Sequence, residues 1–232
     1  MGDPEPKHAA PPRRRGLSWW QETLLLFALA ILVSVLVKAF FVQMFYVPSA
    51  SMKPEFVKND RILVEKISYW AGDVQRGDVV VFRDPGEWLG VAPEPEGLQR
   101  VLSAIGLYPS GGHLVKRVIG VGGDHVACCD RRGRLTVNDV PIDEYEYLRE
   151  GMDPSQEEFD VDVPADRLWV MGDNRSNSLD SRAHRDRPGG GTIPADAVVG
   201  KVWAIVWPLG RAEVLDDPVV LRNLEDPGAQ SD

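Results

Sequence analysis

The sequence is short of positive charge, cysteine and histidine, and it has a single long apolar run. Lys and Arg total 26 against 35 Asp and Glu, a formal net charge of -9. That balance argues against nucleic acid as a partner, because phosphate binding needs a basic face. The arginines are also unevenly placed: "PPRRRG" sets Arg13, Arg14 and Arg15 just before the apolar run, and the acidic excess lies downstream. The 2 cysteines, Cys128 and Cys129, are adjacent. No second pair exists for a CxxC-type zinc site, and nothing in the sequence implies a metal or cofactor. Disulfide geometry strains the peptide between neighbouring cysteines. The pair therefore reads as strand-edge thiols, with a redox or intermolecular role as the other reading. The 4 histidines are His8, His113, His125 and His184. None has the local context of a Ser-His-Asp motif, although a triad is defined by geometry rather than by sequence position. His8 falls in the N-terminal arm, and the others read as surface or turn residues.

What is present suits a globular chain of one to two domains: 232 residues, 44% hydrophobic and 26% charged. The apolar run lies in "LSWWQETLLLFALAILVSVLVKAFFVQMFYV". From Trp19 to Val37 is about 19 residues, or roughly 28 Å as a helix, against a hydrocarbon core of about 30 Å. Trp19 and Trp20 suit one interface and Lys38 the other. The Arg13–Arg15 cluster predicts a cytoplasmic N-terminus by the positive-inside rule. The competing reading is a cleaved secretory signal. The apolar region is long for one, and Pro48 would sit third before a cut after Ala50. The expectation is an uncleaved single-pass anchor over 19–38, with the remaining chain outside the cytoplasmic membrane.

Residues 1–18 read as a disordered basic arm. After Lys38 the chain is expected to run extended. Short β-type runs then alternate with turn signals: "RILVEK", "DVVVFR", "LVKRVIGV", "HVACC", "RLTVND", "RLWVMG" and "AVVGKVWAIVWP". "DRRG" marks a hairpin between the fourth and fifth. The Pro/Gly-rich stretch 84–113 reads as an insertion, with "EGLQRVLSAIGL" its one helical candidate. Residues 211–232 read as a loose acidic tail. The expected fold is mainly β, an antiparallel catalytic domain over 39–210 on one N-terminal transmembrane helix.

"FYVPSASMKPEF" follows the apolar run and carries Ser49 and Ser51. Without a histidine base, a serine can be activated by a neutral lysine. A lysine near pKa 10.4 must lose about three units to be neutral at pH 7, roughly 4 kcal/mol of differential stabilisation. Apolar burial supplies such a shift. Lys116 has apolar neighbours on both sides; Lys66 and Lys201 also border strands and stay open as alternatives.

Four stretches together resemble the bacterial type I signal peptidases. They are "VPSASMKPEF…NDRILVEK", "GDVVVFRDP", "LVKRVIGVGGD" and "MGDNRSNSLDSR", in that order behind a candidate membrane helix. The resemblance implies a Ser-Lys serine endopeptidase acting on preprotein signal peptides with small residues before the cleavage site. It makes Ser51 the nucleophile and Lys116 its base. Ser49 resembles the oxyanion-hole hydroxyl that works with the Ser51 N–H, and Ser178 the hydroxyl that orients the lysine. Asp180 and Arg182 resemble a structural charge pair, with Arg117 nearby. Gly172, Asp173, Asn174 and Arg175 match a supporting turn, and Met52 a wall beside the nucleophile. Three stretches depart from the pattern: "KPEF", "GVGGD" with Gly122 where proline is common, and "AHRDRPGGGTIP". Two other readings stand beside this one: a self-cleaving Ser-Lys peptidase of the repressor type, and an inactive membrane-anchored β domain that binds envelope partners.

Overall fold

The computed structural model describes residues 18–66, 69, 73–86, 88–89, 97, 112–216 and 218–224. The basic arm before Ser18 and nearly all of the 84–113 insertion, with its helical candidate, lie outside the described residues. The chain divides after Lys38 into two units. The first holds most of helix α1, Trp19–Phe40, which runs two residues past the expected end at Lys38. Its side chains are described as far as Ser34, and those from Leu24 to Val33 that are large and apolar are exposed. Among the described residues no helix is long and apolar enough to cross a membrane.

The second unit is built on antiparallel strands, as the alternating runs predict. The strands are β1 (Val42–Tyr46), β2 (Arg61–Glu65), β3 (Val79–Arg83), β4 (His113–Gly120), β5 (His125–Cys128), β6 (Leu135–Val137), β7 (Val140–Pro141), β8 (Phe159–Asp162), β9 (Arg167–Met171), β10 (Ile193–Pro194), β11 (Val198–Trp207) and β12 (Glu213–Val214). The larger sheet runs β1-β2-β11-β3-β4-β9-β10, with β12 on β11; the smaller runs β7-β6-β5-β8. Register shifts in the β11–β2, β11–β3 and β4–β9 pairs bend the larger sheet.

β3 shows why an unbroken apolar run belongs in this sheet. Val79 and Val81 join one buried cluster, with Met52, Phe56 and Ile62. Val80 and Phe82 point the other way, into a cluster with Leu114, Val118 and Val170. A strand covered on both faces needs no polar alternation. The expected hairpin forms as the β5–β6 pair. The β6–β7 turn was not foreseen; Asn138 and Asp139 both take positive φ there, 52° and 64°, as a tight primed turn requires.

Two sequence expectations are corrected. The sulfurs of Cys128 and Cys129 are bonded to each other, so the pair is not two free thiols; the intervening peptide is cis, which brings the Cα atoms to 3.0 Å. The chain beyond Arg211 is not loose as far as Leu224. Arg211 bonds Asp60, β12 pairs with β11, and a short helix, α2 (Val219–Arg222), buries Leu221 completely.

The Gly122 departure has a packing cause. A Cβ there would meet Ala165 Cα and the Asp166 nitrogen at 3.1 Å. Asp124 closes the same turn by accepting from Val121 N at 2.7 Å, and it pairs with buried Arg76.

Candidate active site

Ser51 lies in the turn between β1 and β2. Backbone bonds from Val47 N to Asp60 O at 2.9 Å and from Asn59 N to Val47 O at 3.0 Å close the base of that turn. Met52 and Phe56 anchor it as buried core, 1% and 0% exposed. Phe56 therefore gives "KPEF" a packing role. Its neighbour Glu55 lies 4.0 Å from Arg117, and Glu55 O accepts from Arg211 at 2.9 Å. Burial raises the Glu55 carboxyl pKa, which Arg117 partly offsets.

Lys116 lies on β4 opposite Val80 and is 3% exposed. Its amine donates to Ser51 Oγ at 2.8 Å. Burial pushes the amine down to about 8; Asp180 and Asp173 pull it back, and Arg182 pushes it further down. Of the two alternatives, Lys201 is held elsewhere, its amine pairing with Asp78 at 2.7 Å. Ser49 Oγ stands 3.2 Å from Ser51 Oγ.

The turn after β9 packs behind this pair. Gly172 N donates to Asp180 Oδ2 at 2.9 Å, and Arg182 bonds both Asp180 oxygens at 2.9 Å. Burial alone would raise the Asp180 pKa, but the Arg182 and Gly172 donors and the Lys116 charge hold it below the ordinary carboxylate value. Arg117 has its own partner, Asp173, through two bonds of 2.9 and 2.8 Å. Gly172 sits where no side chain fits: a Cβ would meet Ser178 Oγ and would lie 2.5 Å from Ser51 O. Asn174 holds the serine turn twice, its backbone N donating to Ser51 O at 2.9 Å and its Nδ2 to Ala50 O at 2.9 Å.

Ser178 differs from expectation. Its Oγ is buried and has no hydrogen-bond partner among the described residues, so it makes no bond to Lys116 here. The lysine amine is engaged by Ser51 instead. The histidines serve elsewhere. His125 pairs with Asp160 at 2.8 Å. His184 Nδ1 lies 2.8 Å from Asp180 O and its ring stacks on Trp88 at 4.2 Å. His113 lies against the Phe45 ring at 5.4 Å. Among the described residues none hydrogen-bonds Ser51.

Two supporting residues escaped the sequence reading. Glu144 takes two bonds from fully buried Arg175, at 2.9 and 2.6 Å. Tyr147 donates to Glu144 at 2.5 Å and lies beneath the Arg117 guanidinium, 4.5 Å from the ring centre. A buried Arg175 demands a carboxylate. "IDEYEYLRE" offers several, and spacing does not choose among them.

Comparison with known proteins gives the family. The family model described as "Signal peptidase, peptidase S26" matches residues 20–207. Signal peptidase I of Mycobacterium tuberculosis is 39% identical over 237 residues, covering 90% of this chain and 80% of that protein. A probable signal peptidase I of Mycobacterium leprae is 36% identical, covering 86% and 80%. Signal peptidase I U of Bacillus subtilis is 31% identical, covering 75% and 81%. With a family match across most of its length and relatives at this identity, the chain belongs to the signal peptidase family, peptidase S26, a family of serine endopeptidases.

Proposed function

We propose that this protein is a membrane-bound serine endopeptidase that removes N-terminal signal peptides from exported preproteins with a Ser51–Lys116 dyad. The observation that carries the reading is the 2.8 Å contact between Lys116 Nζ and Ser51 Oγ, made by an amine whose pKa burial brings down to about 8. In its neutral form Lys116 accepts the Ser51 hydroxyl proton as Oγ attacks the scissile carbonyl carbon. The developing oxyanion takes hydrogen bonds from the Ser51 N–H and the Ser49 hydroxyl. Collapse breaks the C–N bond, the Lys116 ammonium returns the proton to the leaving amine, and an acyl-enzyme remains. Lys116 then accepts a proton from the water that attacks the ester carbon, the acyl C–Oγ bond breaks, and the Lys116 ammonium returns that proton to Ser51 Oγ. Ser178, a buried hydroxyl with no partner among the described residues, is available to the ammonium once Ser51 Oγ is acylated.

Strand geometry favours an extended substrate. β9 pairs with β4 only from Arg117 onward, and β1 is the edge of the larger sheet. Both flank the serine turn in sequence or in space and offer backbone edges for strand addition. Acceptance of small side chains before the cleavage site rests on the family resemblance.

Membrane anchoring is part of the proposal. α1 is 22 residues long, about 33 Å at the helical rise, and "VLVKAF" continues its apolar sequence beyond Ser34. Arg13–Arg15 favour a cytoplasmic N-terminus and an extracytoplasmic peptidase domain. On the domain itself, Trp203, Trp207 and Val214 stand 50%, 50% and 54% exposed, apolar surface suited to a lipid interface. The test is cleavage of a preprotein by the full chain in lipid vesicles with Ser51→Ala and Lys116→Ala. Loss of cleavage in both is expected, and retained cleavage in either rejects the dyad. Covalent labelling of Ser51 by a serine-reactive acylating probe separates this reading from an inactive binding domain.

A further inference from the structure

Asn174 caps the turn Arg175–Asn177, yet its side chain makes no capping bond. Residues of this type at that position ordinarily cap with the side chain. Here the amide reaches 124 residues back along the chain, and Nδ2 donates to Ala50 O at 2.9 Å. Ser176 Oγ donates to Asn174 Oδ1 at 3.3 Å, which leaves Nδ2 as the group facing Ala50. The backbone N of Asn174 holds Ser51 O at 2.9 Å.

A trans peptide is planar, with its C=O and N–H pointing in opposite directions. The Ala50 carbonyl and the Ser51 N–H belong to one such plane. Fixing the carbonyl from one side therefore aims the N–H to the other. Among the described residues that N–H has no acceptor. The next plane, Ser51 to Met52, is held by the second Asn174 bond, and its carbonyl lies against Gly172. Both planes flanking the Ser51 Cα are thus fixed by one residue from a distant turn.

We infer that Asn174 is a positioning residue that aims the Ser51 N–H at the oxyanion, preorganising that donor before substrate arrives. The inference rests on the reading of Ser51 as the nucleophile. A donor aimed in advance costs no reorganisation during reaction, and loss of one oxyanion donor lowers turnover by about 10²–10³-fold. Losing only its orientation should cost part of that.

The test uses the full chain in lipid vesicles with Asn174→Ala and Asn174→Asp. The aspartate keeps the size and the backbone bond but presents an acceptor to the Ala50 carbonyl. Both variants should lose about tenfold or more in kcat, with KM within about twofold of the parent. A peptide aldehyde, whose hemiacetal oxygen takes the oxyanion position, should bind each variant more weakly by a similar factor. The matching peptide alcohol should bind unchanged. Unaltered kcat overturns the inference, as does equal weakening of aldehyde and alcohol, which would mark a general role in fold or substrate binding. Failure of both variants to fold overturns it too. Ser51→Ala is run alongside. If it cleaves, the reading of the nucleophile fails; if it is inactive while Asn174→Ala is fully active, only the inference fails.

Discussion

The Lys116 amine donates to Ser51 Oγ at 2.8 Å from a position on β4 that is 3% exposed. The same burial that shields the contact from water also pushes the amine down to about 8. Two Asp–Arg pairs, Asp173–Arg117 and Asp180–Arg182, stand behind it without transferring a full negative charge to the site.

A first consequence concerns pH. Protonated Lys116 has no lone pair with which to take the Ser51 proton. With the amine at about 8, kcat/KM should rise with pH through an apparent pKa near 8 and then level. Measured on a peptide lacking titratable groups in that range, a rising limb centred above about 10 would place the base close to the ordinary lysine value, and burial would have no part in activating it.

Stability should move the opposite way to activity when the lysine is replaced. The folded Lys116 pKa lies below its ordinary value of 10.5, so between about 8 and 10.5 the unfolded chain binds the extra proton and stability rises with pH. Below about 8 both states are protonated and the full cost of the buried ammonium remains. Lys116→Met should therefore be inactive yet more stable at neutral pH, by on the order of 3 kcal/mol. Its advantage should shrink as pH approaches 10.5. Asp173 and Asp180 keep their arginines in this variant, so no carboxylate is stranded. Denaturant unfolding at several pH values reads the difference.

Gly172→Ala tests a close approach. The added methyl would meet Ser178 Oγ and would lie 2.5 Å from Ser51 O. Overpacking of this kind costs about 1–3 kcal/mol. The displaced group is the carbonyl of the proposed nucleophile, so turnover should fall by more than the stability loss accounts for. Cleavage rate and melting temperature measured on one preparation show whether the two losses separate.

Arg175 and Glu144 form a buried ion pair that sequence reading saw from one side only. Arg175→Ala strands Glu144 and should destabilise by about 3–5 kcal/mol. Arg175→Lys should recover little, because an ammonium cannot make both planar bonds. The double change Arg175→Met with Glu144→Leu removes both charges and should regain most of the lost stability. If the double variant is as unstable as Arg175→Ala, the pair is not the cause.

Ser49→Ala and Ser178→Ala should part in stability and activity. Ser49→Ala removes a proposed oxyanion donor and should slow cleavage by about 10²–10³-fold with the fold intact. Ser178 Oγ is buried with no partner among the described residues, and an unmet buried hydroxyl costs about 1–3 kcal/mol. Ser178→Ala should therefore be as stable as the parent or more so, while deacylation slows. Thermal unfolding beside single-turnover acylation and deacylation rates distinguishes the two.

Local patterns in the sequence determined much of this protein. Alternation and turn residues marked the principal strands, because side chains on a strand face opposite sides at every step. β3 showed as an unbroken apolar run because both its faces are covered. A buried-lysine argument favoured Lys116 for its apolar neighbours but left Lys66 and Lys201 open. The resemblance then supplied Ser49, Ser51, Ser178 and the turn after β9 in chain order, but not their contacts.

Only the tertiary structure decided who meets whom. β11 lies between β2 and β3, more than a hundred residues away in sequence, and a strand's own composition does not name its neighbours. Arg117 chose Asp173, and Arg175 chose Glu144 from a crowded acidic stretch, because desolvated guanidinium groups require the carboxylate that backbone geometry delivers. The bonded cysteines, the packed chain as far as Leu224 and the Asn174 clamp on Ala50 were likewise invisible. Each depends on atoms brought together by the fold, where distance and burial decide the energy rather than residue type.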